Sequence, residues 1–329
     1  MMKKNIGILN CPLLSMVMFV VLTSIFISSC EKVNDPTITT DGVNLITSST
    51  AKGGGTITDD GGTLVTVRGI CWSEKNTPTV KDNKTTDGSG IGSFTSELTG
   101  LNPNITYNVR AYATNNSGTG YGNTVTFTTS PVVTDIEGNI YHTVTIGTQV
   151  WMLENLKTTK YRDGSPIPNV PDSAEWGHLA AGAYCIYNND INNLATYGRL
   201  YNWFAVIDTH KLAPDGWHIP SDYEWSELMV YLGGKAIAGG KLKEIGSTHW
   251  LNPNTGATNE TGFTALPGGY RNPHGAFSDI GIMGSWWTPN EHITMHKYAY
   301  NQFMYNKYSS VVTPFNEKKA GFSVRCVRD

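Results

Sequence analysis

Two periodicities divide the chain. In the stretch "GGTLVTVRGICWS", Val65, Val67, Gly69 and Cys71 alternate with Thr66, Arg68, Ile70 and Trp72, the period of a β-strand. Gly-rich turns punctuate this region, with "GGG" at 53–55, "DDGG" at 59–62 and "DGSGIG" at 87–92. In "LNPNITYNVRAYAT", Leu101, Pro103 and Tyr107 precede Val109, Ala111 and Ala113 on one face. That order predicts a tyrosine corner leading into a core strand of a sandwich. After the joint "SPVVTDIEGN" a second pattern begins. Tyr141, Thr143 and Thr145 alternate with Ile140, His142, Val144 and Ile146, Gly147 supplies a turn, and "QVWMLENL" returns as the partner strand.

The same region also carries a helical period. Leu200, Trp203, Phe204 and Ile207 stand at i, i+3, i+4 and i+7, which predicts a helix with one apolar face. In "GWHIPSDYEWSELM", Ser221 and Glu224 form a capping box, and Trp225, Leu228, Met229 and Leu232 repeat the spacing. Gly233 and Gly234 are placed to end that helix. Beyond them the sequence predicts loops and short strands, closing on "AGFSVRCVRD".

The N-terminus has another character. Lys3 and Lys4 precede an apolar run from Leu13 to Ile27, then "ISSC". The run has the length of a signal-peptide core and is short of the roughly 20 residues of a membrane span. "ISSC" resembles a bacterial lipobox, which implies cleavage after residue 29 and acylation of Cys30; the alternative is an uncleaved anchor. Cleavage would leave 300 residues with formal charge 22 − 27 = −5, from 24 basic residues less Lys3 and Lys4 against 27 acidic ones. No basic cluster is present, which argues against nucleic acid as a partner. Charged residues make up only 16% of the chain, a composition that suits a β-rich or loop-rich extracytoplasmic protein.

Residues 37–130 resemble a fibronectin type III domain, a fold that serves mostly as a spacer or binding platform. Residues 132–329 carry "GNIYHTVTIGTQVWMLENL", "YGRLYNWFAV", "GWHIPSDYEWSEL", "GFTALPGGYR" and "GFSVRCVRD" in order. They resemble the Fibrobacter succinogenes major paralogous domain, a family of secreted and lipid-anchored proteins with no established activity. Its motifs in turn are similar to those of the formylglycine-generating enzymes. The resemblance implies a C-type-lectin-like fold with two helices packed on short twisted sheets. The expected architecture is therefore mainly β, with an α+β second domain. The order is a signal peptide (1–29), a lipidated linker (30–36), a sandwich (37–130) and a lectin-like head (132–329).

The resemblance does not bring the enzymes' chemistry with it. Those enzymes hold copper with two closely spaced cysteines late in the chain, soft ligands suited to Cu(I). Here Met283–Phe303 contains no cysteine. His292 and His296 lack the glutamate of a zinc-protease helix. "YNNDINN" (187–193) offers oxygen ligands for a structural calcium but also reads as a turn. "WWTPNEH" departs at its first ligand from the calcium-dependent sugar sites of C-type lectins. No metal or other cofactor is expected beyond that one calcium candidate.

Cys71 reads as a buried free thiol. Cys185 and Cys326 share the second domain in an oxidising compartment, and a disulfide between them is expected. Trp286 and Trp287 are adjacent on a predicted strand and must face opposite ways, so one of them is a candidate for exposure. The ligand-binding candidates are Trp287, Tyr270, Arg271, Asn290 and Glu291, on the loops between His249 and His296. The leading expectation is a lipid-anchored outer-membrane protein, on the periplasmic or extracellular side, whose head binds a glycan or a surface protein. Two alternatives remain: an enzyme using another site on the same scaffold, and a structural subunit of a surface assembly.

Overall fold

The structure, a computed structural model, describes residues 32–75 and 77–329. The expected signal peptide and Cys30 lie outside the described residues. Eight strands build the first domain: β1 (Thr37–Thr40), β2 (Ala51–Asp59), β3 (Val67–Ser73), β4 (Asn83–Lys84), β5 (Gly92–Leu98), β6 (Thr106–Thr114), β7 (Thr119–Tyr121) and β8 (Val125–Thr128). One sheet has the order β1-β2-β5 and the other β4-β3-β6-β7, with β8 also paired to β6. This is the strand arrangement of a fibronectin type III sandwich. Ile70, Trp72, Val109, Ala111 and Leu98 fill the space between the sheets. Tyr107 accepts the Asn102 N–H at 3.0 Å, closing the tyrosine corner. Cys71 lies on the other face of β3, buried, and burial pushes its thiol up to about 11.

The joint is tied on both sides. Ser130 donates its N–H to the Thr47 carbonyl, Thr47 bridges to Val144, and the Thr143 hydroxyl donates to the Pro131 carbonyl at 2.6 Å. Thr129, Ser130 and Val133 are buried.

The head begins with β9 (Val133–Thr134), β10 (Ile140–Tyr141), β11 (Thr143–Ile146) and β12 (Gln149–Met152). Then come α1 (Ser173–Gly177), β13 (Tyr184–Cys185), α2 (Asn192–Tyr197), β14 (Leu200–Tyr201), α3 (Trp203–Val206), β15 (Trp217–His218), α4 (Asp222–Tyr231) and α5 (Lys235–Leu242). The chain ends with β16 (Gly268–Arg271), β17 (Phe277–Ile280), β18 (Met283–Glu291), β19 (Tyr298–Tyr305), β20 (Val311–Val312), β21 (Phe315–Glu317) and β22 (Val327–Arg328). The terminal β22 sits between the opening hairpin and β15, giving the order β11-β12-β22-β15. Residues almost two hundred positions apart thus share one sheet. A second sheet pairs β19 with β18, β20 and β21.

The predicted helix at Ser221 forms as the sequence specifies. Ser221 and Glu224 make both halves of the capping box, and Gly233 and Gly234 take φ of 92° and 108°. The predicted helix at Leu200 does not form as one piece. Leu200 and Tyr201 pair with β13 as a strand, and only Trp203–Val206 coil. Asn202 caps that short turn through the Ala205 N–H, so the helix starts too late to include Leu200. The α5 helix was not expected, because "KAIAGGKL" is glycine-rich. A Cβ on Gly239 would lie 2.5 Å from the Ser310 carbonyl oxygen, and one on Gly240 would lie 2.3 Å from that of Gly256. The glycines are there to let a helix touch backbone.

Two large clusters form most of the head's core, and β18 is the wall between them; a smaller third one surrounds Trp176. Trp287 packs into one cluster with Tyr201, Trp203 and Phe322. Trp286 packs into the other with Trp151, Trp225 and Phe263.

Candidate functional site

The five ligand-binding candidates do not form one surface. Trp287 and Trp286 do face opposite ways, but both faces of β18 are covered. Trp287 is 0% exposed, donates its indole N–H to the Tyr201 carbonyl at 2.9 Å, and lies 4.5 Å from the Phe322 ring. Trp287, the candidate for exposure, is therefore a core residue. Arg271 is also fully buried. Its guanidinium donates to the carbonyls of Gly275, Val170 and Pro171 and is flanked by Trp176 and Phe277 at 4.5 and 4.8 Å. It knits three loops together from a position no surface ligand can reach. Tyr270 is half-buried against Phe322. Asn290 accepts the Asp222 N–H at the start of α4. Asn290 and Glu291 are the exposed members, and Glu291 is paired with Lys318 and His296 at 2.9 Å each.

The expected disulfide is absent. Cys185 packs with Trp176, Val170 and Leu200 in a small cluster beneath Arg271, whereas Cys326 sits in the main core on the approach to β22. Both are buried free thiols. Burial pushes Cys185 up to about 12 and raises Cys326 further. A shared domain and compartment do not bring two cysteines within bridging distance.

The Asn-rich loop at 187–193 spends its side chains on its own turn and, through Asn189, on the Pro171 carbonyl. Asp190 accepts from the Asn192 backbone and side-chain N–H groups, and Asn193 donates to the Tyr187 carbonyl. His292 Nδ1 accepts from the Thr294 and Met295 N–H groups. Among the described residues, no three His, Cys, Asp or Glu side chains converge to hold a metal ion.

Next to Glu291 the sheet presents an aromatic face that the sequence reasoning missed. Tyr300 on β19 pairs directly with Phe315 on β21, and Tyr298 with Glu317. His292 lies over Tyr300 with ring centroids 5.4 Å apart and meets Phe315 at 4.5 Å. Tyr298 meets Phe315 at 5.6 Å. Phe315 is 42% exposed. The Lys297–Glu317 ion pair, at 2.9 Å, borders the rings on one side. The period-two placing of Tyr298 and Tyr300 in "HKYAYNQ" was a readable signal. Their meeting with Phe315 required the β19–β21 pairing.

A concave site opens elsewhere on the head, with a volume of about 490 Å³. Trp217, His218, Ser221 and Glu224 of "GWHIPSDYEW" line it. His218 Nδ1 faces Asp329 Oδ1 at 2.7 Å, and Nε2 faces Glu224 Oε1 at 2.6 Å. A carboxylate at each nitrogen favours the imidazolium, in which both nitrogens donate. Burial alone would lower the pKa of His218, but its bonds to Asp329 and Glu224 raise it. Burial would raise that of Glu224, but bonds from Ser221 and His218 hold it down. The Ser221 hydroxyl donates to Glu224 rather than to His218. Serine and imidazole thus share a carboxylate instead of forming the nucleophile–base contact that acyl transfer requires.

The family model of the Fibrobacter succinogenes major domain matches residues 144–328. No curated protein matches the chain. Among solved structures, the sensor domain of the anti-sigma factor RsgI4 from Pseudobacteroides cellulosolvens aligns at 18% identity and TM-score 0.24, over 30% of this chain and 98% of its own. Fibronectin type III domains of the human proteins KIAA0970 and KIAA0343 align at 19% and 20% identity with TM-scores of 0.22 and 0.23. Each covers 31% of this chain, with 79% and 88% of the respective domain. Similarities this slight carry no functional weight. The family match spans more than half of the chain and takes in the hairpin, the capped helix and the strand that closes the head's sheet, so the chain belongs to the Fibrobacter succinogenes major domain family.

Proposed function

We propose that this chain is a lipid-anchored surface protein whose head binds a ligand without transforming it, and that the ligand is a glycan stacked on the His292–Tyr298–Tyr300–Phe315 face. The aromatic face carries the reading. Sugar rings present C–H groups that pack on aromatic faces while their hydroxyls seek donors and acceptors. Here the rings are bordered by the Lys297–Glu317 and Lys318–Glu291 ion pairs, of which Lys297 and Glu291 are the more exposed. The non-catalytic part of the reading is supported by His218, whose nitrogens are both engaged. The anchor rests on "ISSC" and the apolar run before it; a sandwich between anchor and head would hold the head off the membrane.

A glycan array probed with the purified chain tests the proposal. Phe315→Ala combined with Tyr298→Ala should abolish the glycan signal while moving the melting temperature little, since neither ring is fully buried. Equal binding by the variant, or no glycan bound by the wild type, overturns the assignment. Turnover of a glycan or a peptide thiol, lost on a single head substitution, overturns the non-catalytic reading. For the anchor, labelled fatty acid should enter the wild type and not Cys30→Ser; equal labelling of both refutes it.

A further inference from the structure

We propose that the cavity beside His218 binds a small organic monocarboxylate with an apolar body. This site is separate from the aromatic face and stands without the glycan reading. Its volume, about 490 Å³, falls within the range of small-molecule sites. Val206, Leu212, Trp217, Ile219 and Pro289 give it apolar walls, and of these Trp217, Leu212 and Val206 are themselves well buried. Such walls favour a ligand with a branched aliphatic or small aromatic body.

The charged groups around the walls select the sign of the ligand. Three carboxylates and three cations line the cavity or its rim. The carboxylates are largely engaged. Asp208 takes the His210 N–H and imidazole, Glu224 takes Ser221 and His218, and Asp329 takes His218. Of the cations, His218 is held by Glu224 and Asp329, whereas Lys211 and Arg162 have weaker claims on their charge. Among the described residues the Lys211 ammonium has no side-chain partner. Arg162 gives Nε and Nη2 to the carbonyls of Ala213, Pro214 and Trp217. Its Nη1 has only Asp215 at 3.6 Å, a side chain 97% exposed, and a pair of that kind contributes little. Arg162 is thereby oriented, with Nη1 left to that exposed carboxylate alone. The Arg162 N–H bonds to the Lys211 carbonyl at 2.8 Å, so the two residues lie on neighbouring backbone.

Lys211 and Arg162 both line the cavity, and two cations whose charges are not matched by a close carboxylate suit a carboxylate guest. The equal count of lining charges disfavours a dianion such as phosphate, which would bring its second charge toward Glu224 and Asp329.

The test uses N-acetyl-leucine, its uncharged amide N-acetyl-leucinamide, and inorganic phosphate, each titrated calorimetrically into the purified full-length chain in detergent. The acid should bind saturably below ~10 mM, within reach of a ligand of its size, and the amide should bind about tenfold more weakly or worse. Lys211→Gln should weaken the acid by about tenfold and leave the amide unchanged. Ile207→Trp, on the exposed rim, should block both. Phe315→Ala should leave acid binding unaltered, which separates this site from the aromatic face. Equal binding of acid and amide, tighter binding of phosphate, no saturable binding of the acid, or unaltered acid binding by Lys211→Gln would each overturn the proposal. A circular dichroism spectrum matching the wild type qualifies each variant for use.

Discussion

Single residues in this head are held by pairings that the sequence cannot display. His218 joins the start of α4 to Asp329 through two carboxylates, and this predicts a pH dependence with a definite sign. A histidine whose folded pKa exceeds its unfolded value of 6.5 stabilises fully below 6.5, and that contribution is lost as pH rises through the folded value. Glu224, held below its usual 4.5, stabilises above 4.5 and loses its effect as pH falls. The destabilisation caused by His218→Asn should therefore be larger at about pH 6 than at about pH 9. An equal effect at both would mean that the ring is not charged in the fold. Lys243 is fully buried and donates to the carbonyls of Thr255, Tyr305 and Tyr308 at 2.9–3.1 Å; burial brings its ammonium down to about 8. Lys243→Met keeps the volume and leaves those oxygens without this donor, so chemical denaturation should show a loss on the order of 3 kcal/mol. The cysteines give a third expectation. Cys185 and Cys326 should react with a thiol reagent in the denatured chain without prior reduction and resist it in the native one, because only the thiolate attacks. A melting temperature lowered by reductant would restore the disulfide.

Elements formed where local chemistry and burial agree, and departed from the expected pattern where tertiary contacts prevailed. The α4 helix was legible because its cap, its apolar spacing and its terminating glycines lie within fourteen residues. The segment after Tyr197 misled because its helical spacing competes with a strand partner, Tyr184–Cys185, that spacing cannot reveal. In α5 the glycines that argue against a helix are what permits it. Alanine improves helix propensity by about 1 kcal/mol over glycine. Yet Gly240→Ala would place a methyl 2.3 Å from the Gly256 carbonyl oxygen. Gly240→Ala should lower stability by about 1–3 kcal/mol, the cost of overpacking, rather than raise it. Thermal unfolding decides between the two signs.

At the scale of the whole molecule, the joint between sandwich and head is buried and bonded, whereas the Ile293–Met295 turn is exposed. Limited thermolysin digestion of the native chain should cut that turn before it cuts Thr129–Val133, since cleavage needs accessible backbone; early cutting at the joint would contradict the bonding seen there. The sequence by itself determined the sandwich, the capped helix, the opening hairpin and the family, because alternation, capping boxes and turn glycines act over a few neighbouring residues. It also determined that Trp286 and Trp287 point opposite ways. Only the tertiary structure decided that both are buried, since that depends on β18 lying between two cores. The fold likewise took Arg271 into the loops, kept Cys185 apart from Cys326, and gathered His292, Tyr298, Tyr300 and Phe315 on one face. Each of these outcomes depends on which distant segment lies opposite, and strand pairing and packing set that only when the chain has closed with β22 inside its first sheet.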